Sequence, residues 1–257
     1  MVETYRLLGA DEPGPFEVFE GDDNSPYFLT ADHAGRLLPK RLGDLGLSPN
    51  ELETHIAWDI GIAGLSKLVA PELGAFLITQ TYSRLVIDCN RPKDSPTSIA
   101  HLSEHTTITG NIGLSDEERR ARLLEVFEPY HARIESELSR RQARGQQTIL
   151  ITMHSFTPRF KGVDRPWEVG VLYNRDARLA RRLIDAFTHH GLCVGDNQPY
   201  FVSDDSDYAV PVYGEQRGNV HVELEIRQDL IQDAAGQARM APLVVAALRE
   251  ASAAFIV

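Results

Sequence analysis

Apolar residues along this chain fall into short continuous runs, separated by longer stretches with helical spacing. Thr148 to Met153 (TILITM) is one such run; it ends on His154 and is broken by Ser155, Thr157 and Pro158. A run of this length without alternation predicts a strand buried on both faces. Tyr27 to Ala31 repeats the design and closes in Asp32-His33-Ala34-Gly35. Ala75 to Thr79, Leu85 to Ile87, Pro166 to Tyr173 and Leu192 to Val194 predict further strands. Asn219 to Arg227 alternates instead, with Val220, Val222, Leu224 and Ile226 to one side and His221, Glu223, Glu225 and Arg227 to the other.

Helix signals lie between these runs. Ser48-Pro49 reads as an N-cap with proline at the first helical position. Asp59 suits the N-cap of a second helix, Ile60 to Val69, which Pro71 to Gly74 ends. Ser115 and Glu118 form a capping box. The helix it opens carries Leu123, Val126, Phe127, Tyr130, Ile134 and Leu138 on one stripe, with a kink expected at Pro129 and an end at Gly145. Asp176 to His190 and Gly236 to Ala253 are amphipathic and complete the set. Residues 1–24, 93–114 and 196–218 read as irregular segments. Strand–helix alternation predicts an α/β fold, a three-layer α/β/α sandwich on a mostly parallel or mixed sheet, as one domain over residues 1–257.

Charge narrows the partners. The chain has 26 Lys+Arg against 37 Asp+Glu, a formal charge of -11. That balance argues against nucleic-acid binding, which needs a basic face, but a local arginine cluster still suits a small anionic substrate. No apolar run reaches the length of a membrane span. The start has neither the basic region nor the apolar core of a secretory signal. Cys89 and Cys193 are far apart and form no metal or redox pair, so a reducing cytoplasm is expected.

The polar residues at strand ends carry the chemistry. In open α/β sheets, ligands bind beyond the carboxyl ends of the strands. His33 and His154 both stand there, and a parallel sheet would bring them together. Two histidines and a carboxylate with an open position describe a catalytic zinc site. Glu225, at another strand end, would act as a general base. Arg84, Arg91 and Arg227 would bind a carboxylate. As a set these residues describe a metal-dependent hydrolase for a small acidic substrate.

The segments DHAG (32–35), HIAWDIGI (55–62), YSRLVIDCNRP (82–92), TMHSFTP (152–158) and VELEIRQDLI (222–231) resemble the N-formylglutamate amidohydrolase family, over most of the chain from about Tyr27 to Ile231. That family is related in fold to the zinc carboxypeptidases and aspartoacylases. The resemblance implies that His33 and His154 bind zinc and that Asn90 with Arg91 grips a substrate carboxylate. It also implies that Glu225, in a Glu-x-Arg pattern with Arg227, is the catalytic base; in the reaction that follows, Arg84 would stabilise the oxyanion. The carboxypeptidase pattern has a glutamate ligand three residues after the first histidine; here that position is Arg36, which joins the substrate-binding set. Asp59 is the expected third ligand, with Asp32 and His55 behind it. Tyr200, His131 and His221 are possible supporting groups, and His101 and His105 lie in a loop that would cover the site. The implied reaction converts N-formyl-L-glutamate to formate and L-glutamate. A zinc peptidase, a deacylase of other N-acyl amino acids and a metal-free ligand-binding relative remain the alternatives.

Overall fold

A computed structural model describes residues 5–256. Seven strands form one mixed sheet: β1 (Phe16–Phe19), β2 (Tyr27–Ala31), β3 (Phe76–Gln80), β4 (Ile149–Phe156), β5 (Val169–Leu172), β6 (Val194–Asp196) and β7 (Val220–Arg227). Their order across the sheet is β1-β3-β2-β4-β7-β5-β6. β3, β2, β4 and β7 run parallel at the centre; β1 is antiparallel to β3, and β5 to β7. The uninterrupted apolar runs have the cause the sequence suggests, because β2, β3 and β4 are buried at every position.

Helices cover both faces. α1 (Ile62–Leu73), α4 (Arg178–His189) and α5 (Ala234–Ser252) pack over one face, closing a core with Leu29, Ile151, Val222, Leu224 and Ile226. On the other face, α2 (Asp116–Arg122) continues through a wide π turn, Leu123–Phe127, into α3 (Glu128–Ala143). Val126, Tyr130, Ile134 and Leu138 of this run pack on Phe28, Phe76 and Leu150. The expected kink at Pro129 falls where the π turn Leu123–Phe127 passes into α3, so the helix widens locally at the proline.

Several local expectations are corrected. Asp59 caps no helix: α1 begins at Ile62, with Gly61 at the N-cap in the left-handed region (φ 83°). A side chain at Gly61 would strike the Ile231 carbonyl, its Cβ only 2.1 Å from the oxygen. Leu85–Ile87 is not a strand. Its carbonyls are taken by side chains instead, Leu85 by Asn111 Nδ2 (2.9 Å) and Val86 by Arg122 Nη1 (2.9 Å), so a buried apolar stretch is satisfied without a ladder. The lead-in is not wholly irregular, since β1 alternates Phe16 and Val18 inward and pairs with the sheet edge. The last short strand sits two residues later than Leu192–Val194. Residues 93–114 hold a small hairpin, Leu102–Ser103 with Thr106–Thr107, and residues 196–218 hold a helical turn, Ala209–Glu215. No helix among the described residues is long and apolar enough to cross a membrane.

Candidate active site

The carboxyl ends of β2, β4 and β7 meet at the middle of the sheet. Register sets the geometry: β4 and β7 are parallel with Glu225 opposite His154, and Thr30 of β2 lies opposite Thr152. His33 follows two residues past the end of β2. Gly35 then lets the chain turn against the neighbouring segment, where a Cβ would lie 2.2 Å from the Thr81 carbonyl carbon. The tight path therefore serves chain packing, and no direct approach of a ligand is needed to account for it. Asp59 is brought in by its backbone, whose N–H donates to the His33 carbonyl (2.9 Å), while Ser155 N–H donates to its Oδ2 (3.0 Å).

His33 Nδ1, His154 Nδ1 and Asp59 Oδ2 form a buried triangle. Its edges are 3.2 Å between the two nitrogens, 3.1 Å from His154 to Asp59 and 3.6 Å from His33 to Asp59. Ligand atoms at the ordinary zinc distances of about 2.0–2.1 Å in a tetrahedron stand roughly 3.3–3.4 Å apart. The triangle therefore fits a metal ion, and these three residues are the only such His/Cys/Asp/Glu cluster among the described residues. The far side of each ring faces a carboxylate. His33 Nε2–H donates to Asp88 Oδ1 (2.7 Å), which fixes the tautomer that turns the Nδ1 lone pair to the triangle. His154 Nε2 lies 3.9 Å from Asp32 Oδ2, and Asp32 in turn accepts from the Tyr130 hydroxyl.

Buried carboxyl groups crowd this site. Burial works to raise the Asp59 and Asp88 carboxyls. For Asp59, His33 and His154 outweigh it and keep the group ionised; for Asp88, Arg84 and His33 do so. Burial opposes charge on His154, yet the carboxylates of Glu223, Asp59 and Glu225 hold its imidazole up at about 10. Burial pushes Glu225 well above the usual carboxyl range, against the pull of His154 and Arg84, and Glu225 Oε2 has no hydrogen-bond partner. A cation in the triangle would favour the ionised form of these carboxyls.

These groups line one cavity of about 400 Å³. Its inner wall is His33, Asp59, His154, Glu225 and Glu223 with Arg84, Asn90 and Arg91; its outer wall is aromatic, with Phe160, Tyr200 and Phe201. Arg84 donates to Asp88 Oδ2 (2.7 Å) and reaches within 3.8 Å of Asp59. His55 lies on the rim, 3.2 Å from Glu104, outside the triangle. Two residues of the expected substrate-binding set lie outside the cavity. Arg36 is exposed, paired with Glu53 (3.1 Å) and stacked over Trp58; Arg227 pairs with Asp229 (2.8 Å) and the Pro166 and Trp167 carbonyls. His131 sits in an aromatic cluster, 2.6 Å from the Tyr213 hydroxyl, and His221 is 2.8 Å from the Asn219 carbonyl; neither lines the cavity. His105 lies in the turn of the 102–107 hairpin and His101 directly before it; the hairpin reaches the cavity through Ser103 and Glu104. Two further polar residues at the site lie outside the set the sequence predicts: Asp88, two residues before Asn90-Arg91, and Asp207, in a polar segment with no motif around it.

A family model for N-formylglutamate amidohydrolase matches residues 25–232. An N-formylglutamate deformylase from Pseudomonas aeruginosa is 38% identical over 96 residues, covering 34% of this chain and 36% of that protein. The matched stretch thus spans about a third of this curated relative. The crystal structure of gene product Atu2144 from Agrobacterium tumefaciens superposes with a TM-score of 0.93 at 33% identity, covering 97% of this chain and 99% of that one. The crystal structure of N-formylglutamate amidohydrolase from Ralstonia eutropha JMP134 shares the fold, with a TM-score of 0.69 at 20% identity over 94% of this chain and 98% of that one.

Proposed function

Because the chain belongs to the N-formylglutamate amidohydrolase family, we propose that it is a zinc-dependent amidohydrolase that cleaves an N-formyl or N-acyl acidic amino acid, N-formyl-L-glutamate foremost, to the acid and the free amino acid. One observation carries the reading: a buried His33–His154–Asp59 triangle with a partnerless Glu225 oxygen in the same cavity. His33, His154 and Asp59 would hold the ion, which supplies Lewis acidity when bound.

The protein's own groups do the rest. Glu225 Oε2, free of any internal partner, takes a proton from the water that attacks the formyl carbon and returns it to the leaving nitrogen. A new C–O bond forms, the amide C–N bond breaks, and one water is consumed. Arg84 is kept cationic by Asp88 and Asp59 against the effect of burial, and it faces the cavity to stabilise negative charge on the carbonyl oxygen. Asn90 and Arg91 receive a substrate carboxylate. A cavity of about 400 Å³ with Phe160, Tyr200 and Phe201 at its mouth also favours acyl groups larger than formyl, so a wider N-acyl amino-acid deacylase is the second reading.

Glu225→Gln tests the assignment. The variant should keep its zinc by elemental analysis and lose about 10²–10⁴-fold in kcat on N-formyl-L-glutamate. Near-normal turnover with zinc in place would remove Glu225 as the base. A panel of N-formyl, N-acetyl and peptide substrates separates the two readings.

A further inference from the structure

The two residues proposed to receive the substrate carboxylate already face a carboxylate of the protein itself. Asn90 Nδ2 donates to Asp207 Oδ1 (3.3 Å), and Arg91 Nη1 lies 3.9 Å from the same oxygen while also donating to the Ser206 carbonyl. Asp207 is buried and lines the cavity beside Glu223. Its other oxygen belongs to its own turn, because Ser203 N–H (3.0 Å) and Ser206 Oγ–H (2.6 Å) both donate to Oδ2. Ser206 N–H and Asp207 N–H return to the Ser203 carbonyl. The 203–207 turn is thus braced internally and meets the anion-binding loop through a few polar contacts. Beyond it, Tyr208 N–H (3.0 Å) and Ala209 N–H (3.2 Å) donate to Asn90 Oδ1.

We propose that Asp207 is an internal stand-in for the substrate's carboxylate, and that an acidic substrate binds by displacing it from Asn90 and Arg91. The inference rests on the functional reading above, which places the substrate carboxylate on those two residues. A second carboxylate drawn onto Asn90 Nδ2 and Arg91 would lie against the Asp207 carboxylate in a poorly solvated cavity and be repelled by it. The incoming group therefore expels Asp207 or is refused. Such a seat selects for ligands with a carboxylate strong enough to compete, and it lowers their apparent affinity by the fraction of time the seat stands open. The rival account, in which Asp207 merely braces Arg91, predicts the opposite sign on mutation.

Glutarate, a dianion with no scissile bond, and glutaramide, its uncharged diamide, are titrated calorimetrically into zinc-loaded wild type and Asp207→Asn. The KM for N-formyl-L-glutamate is measured alongside. Displacement predicts that Asp207→Asn binds glutarate about threefold to tenfold more tightly, lowers the KM, and leaves glutaramide binding as it was. Glutarate binding that is weaker or unchanged overturns the proposal. Wild type alone provides a second test that does not depend on the variant folding: saturating glutarate should speed hydrogen exchange at the Tyr208 and Ala209 amides. Equal or slower exchange overturns displacement. If N-formyl-L-glutamate is not turned over, the functional reading falls and takes this proposal with it; turnover with glutarate binding that the variant does not tighten sinks the proposal alone.

Discussion

Asp88→Asn isolates what a carboxylate behind His33, a proposed metal ligand, contributes. Asp88 accepts from His33 Nε2 (2.7 Å), from Arg84 Nη2 (2.7 Å) and from the Asn90 N–H (2.9 Å), and it is buried. It remains an anion because Arg84 and His33 outweigh burial. Asparagine has the same shape and one acceptor oxygen. That oxygen can keep His33 and the Asn90 N–H, but its NH₂ then faces the Arg84 guanidinium, where a donor meets a donor. The imidazole keeps its orientation and loses the negative charge that makes Nδ1 a better ligand. Partners of this kind are worth about 10–100-fold in metal affinity, or roughly 1.4–2.7 kcal/mol. Competition against a chromophoric zinc chelator measures the loss, with His33→Ala as the floor. A zinc Kd within about twofold of wild type would refute the idea that Asp88 works through His33, at an effect far below the 10-fold lower bound.

Other expectations are sharper in their controls. Arg91→Ala should raise KM for N-formyl-L-glutamate far more than for a neutral analogue, whereas Arg36→Ala and Arg227→Ala, whose side chains lie outside the cavity, should leave both within about twofold, the range of ordinary surface changes; equal effects of Arg91→Ala on both substrates would remove it from the anion seat. His131 is buried among aromatic rings, and burial pushes its imidazole down to about 3. The native state thus holds it neutral while the unfolded chain takes up a proton near its usual value of about 6.5. Its contribution is complete above that pH and is lost as pH falls toward 3, at up to about 1.4 kcal/mol per pH unit. Urea denaturation at pH 7, 6 and 5 should show a shallower decline for His131→Asn than for wild type, and parallel curves would count against a neutral buried His131.

Much of the arrangement was legible in the sequence because strand ends are conspicuous. An apolar run that stops on a histidine shows where the sheet ends and which side chain stands there, and this located His33 and His154. The Asn219–Arg227 alternation put Glu223 and Glu225 on one side and the apolar residues on the other, although both sides proved buried. Asp59 was recognised as a ligand candidate, but its capping role failed because its carboxylate is taken by Ser155 and the histidines. Leu85–Ile87 misled because an apolar run shows burial without showing what satisfies its backbone; Asn111 and Arg122, distant in sequence, do so here. Sign and closeness to motifs group Arg36 and Arg227 with the anion binders, yet each has a nearer carboxylate, Glu53 or Asp229, that holds it away from the cavity. Asp207 left no signal, since its importance comes from the three-dimensional closeness of residues 117 positions apart.

That same remoteness shapes how the chain comes to exist. The triangle joins residues separated by 121 and 95 positions, and β4 and β7 meet across 71. Parallel strands this distant pair only after long loops have closed, so the meeting of their ends belongs to the last part of folding. An ion held there has nothing to bind until the centre of the sheet is finished. Its stabilisation therefore falls on the rate at which the completed chain comes apart, leaving the climb to the transition state as slow as before. On this order the chain would reach its active form unaided, and an ion bound in the triangle would determine how long that form lasts.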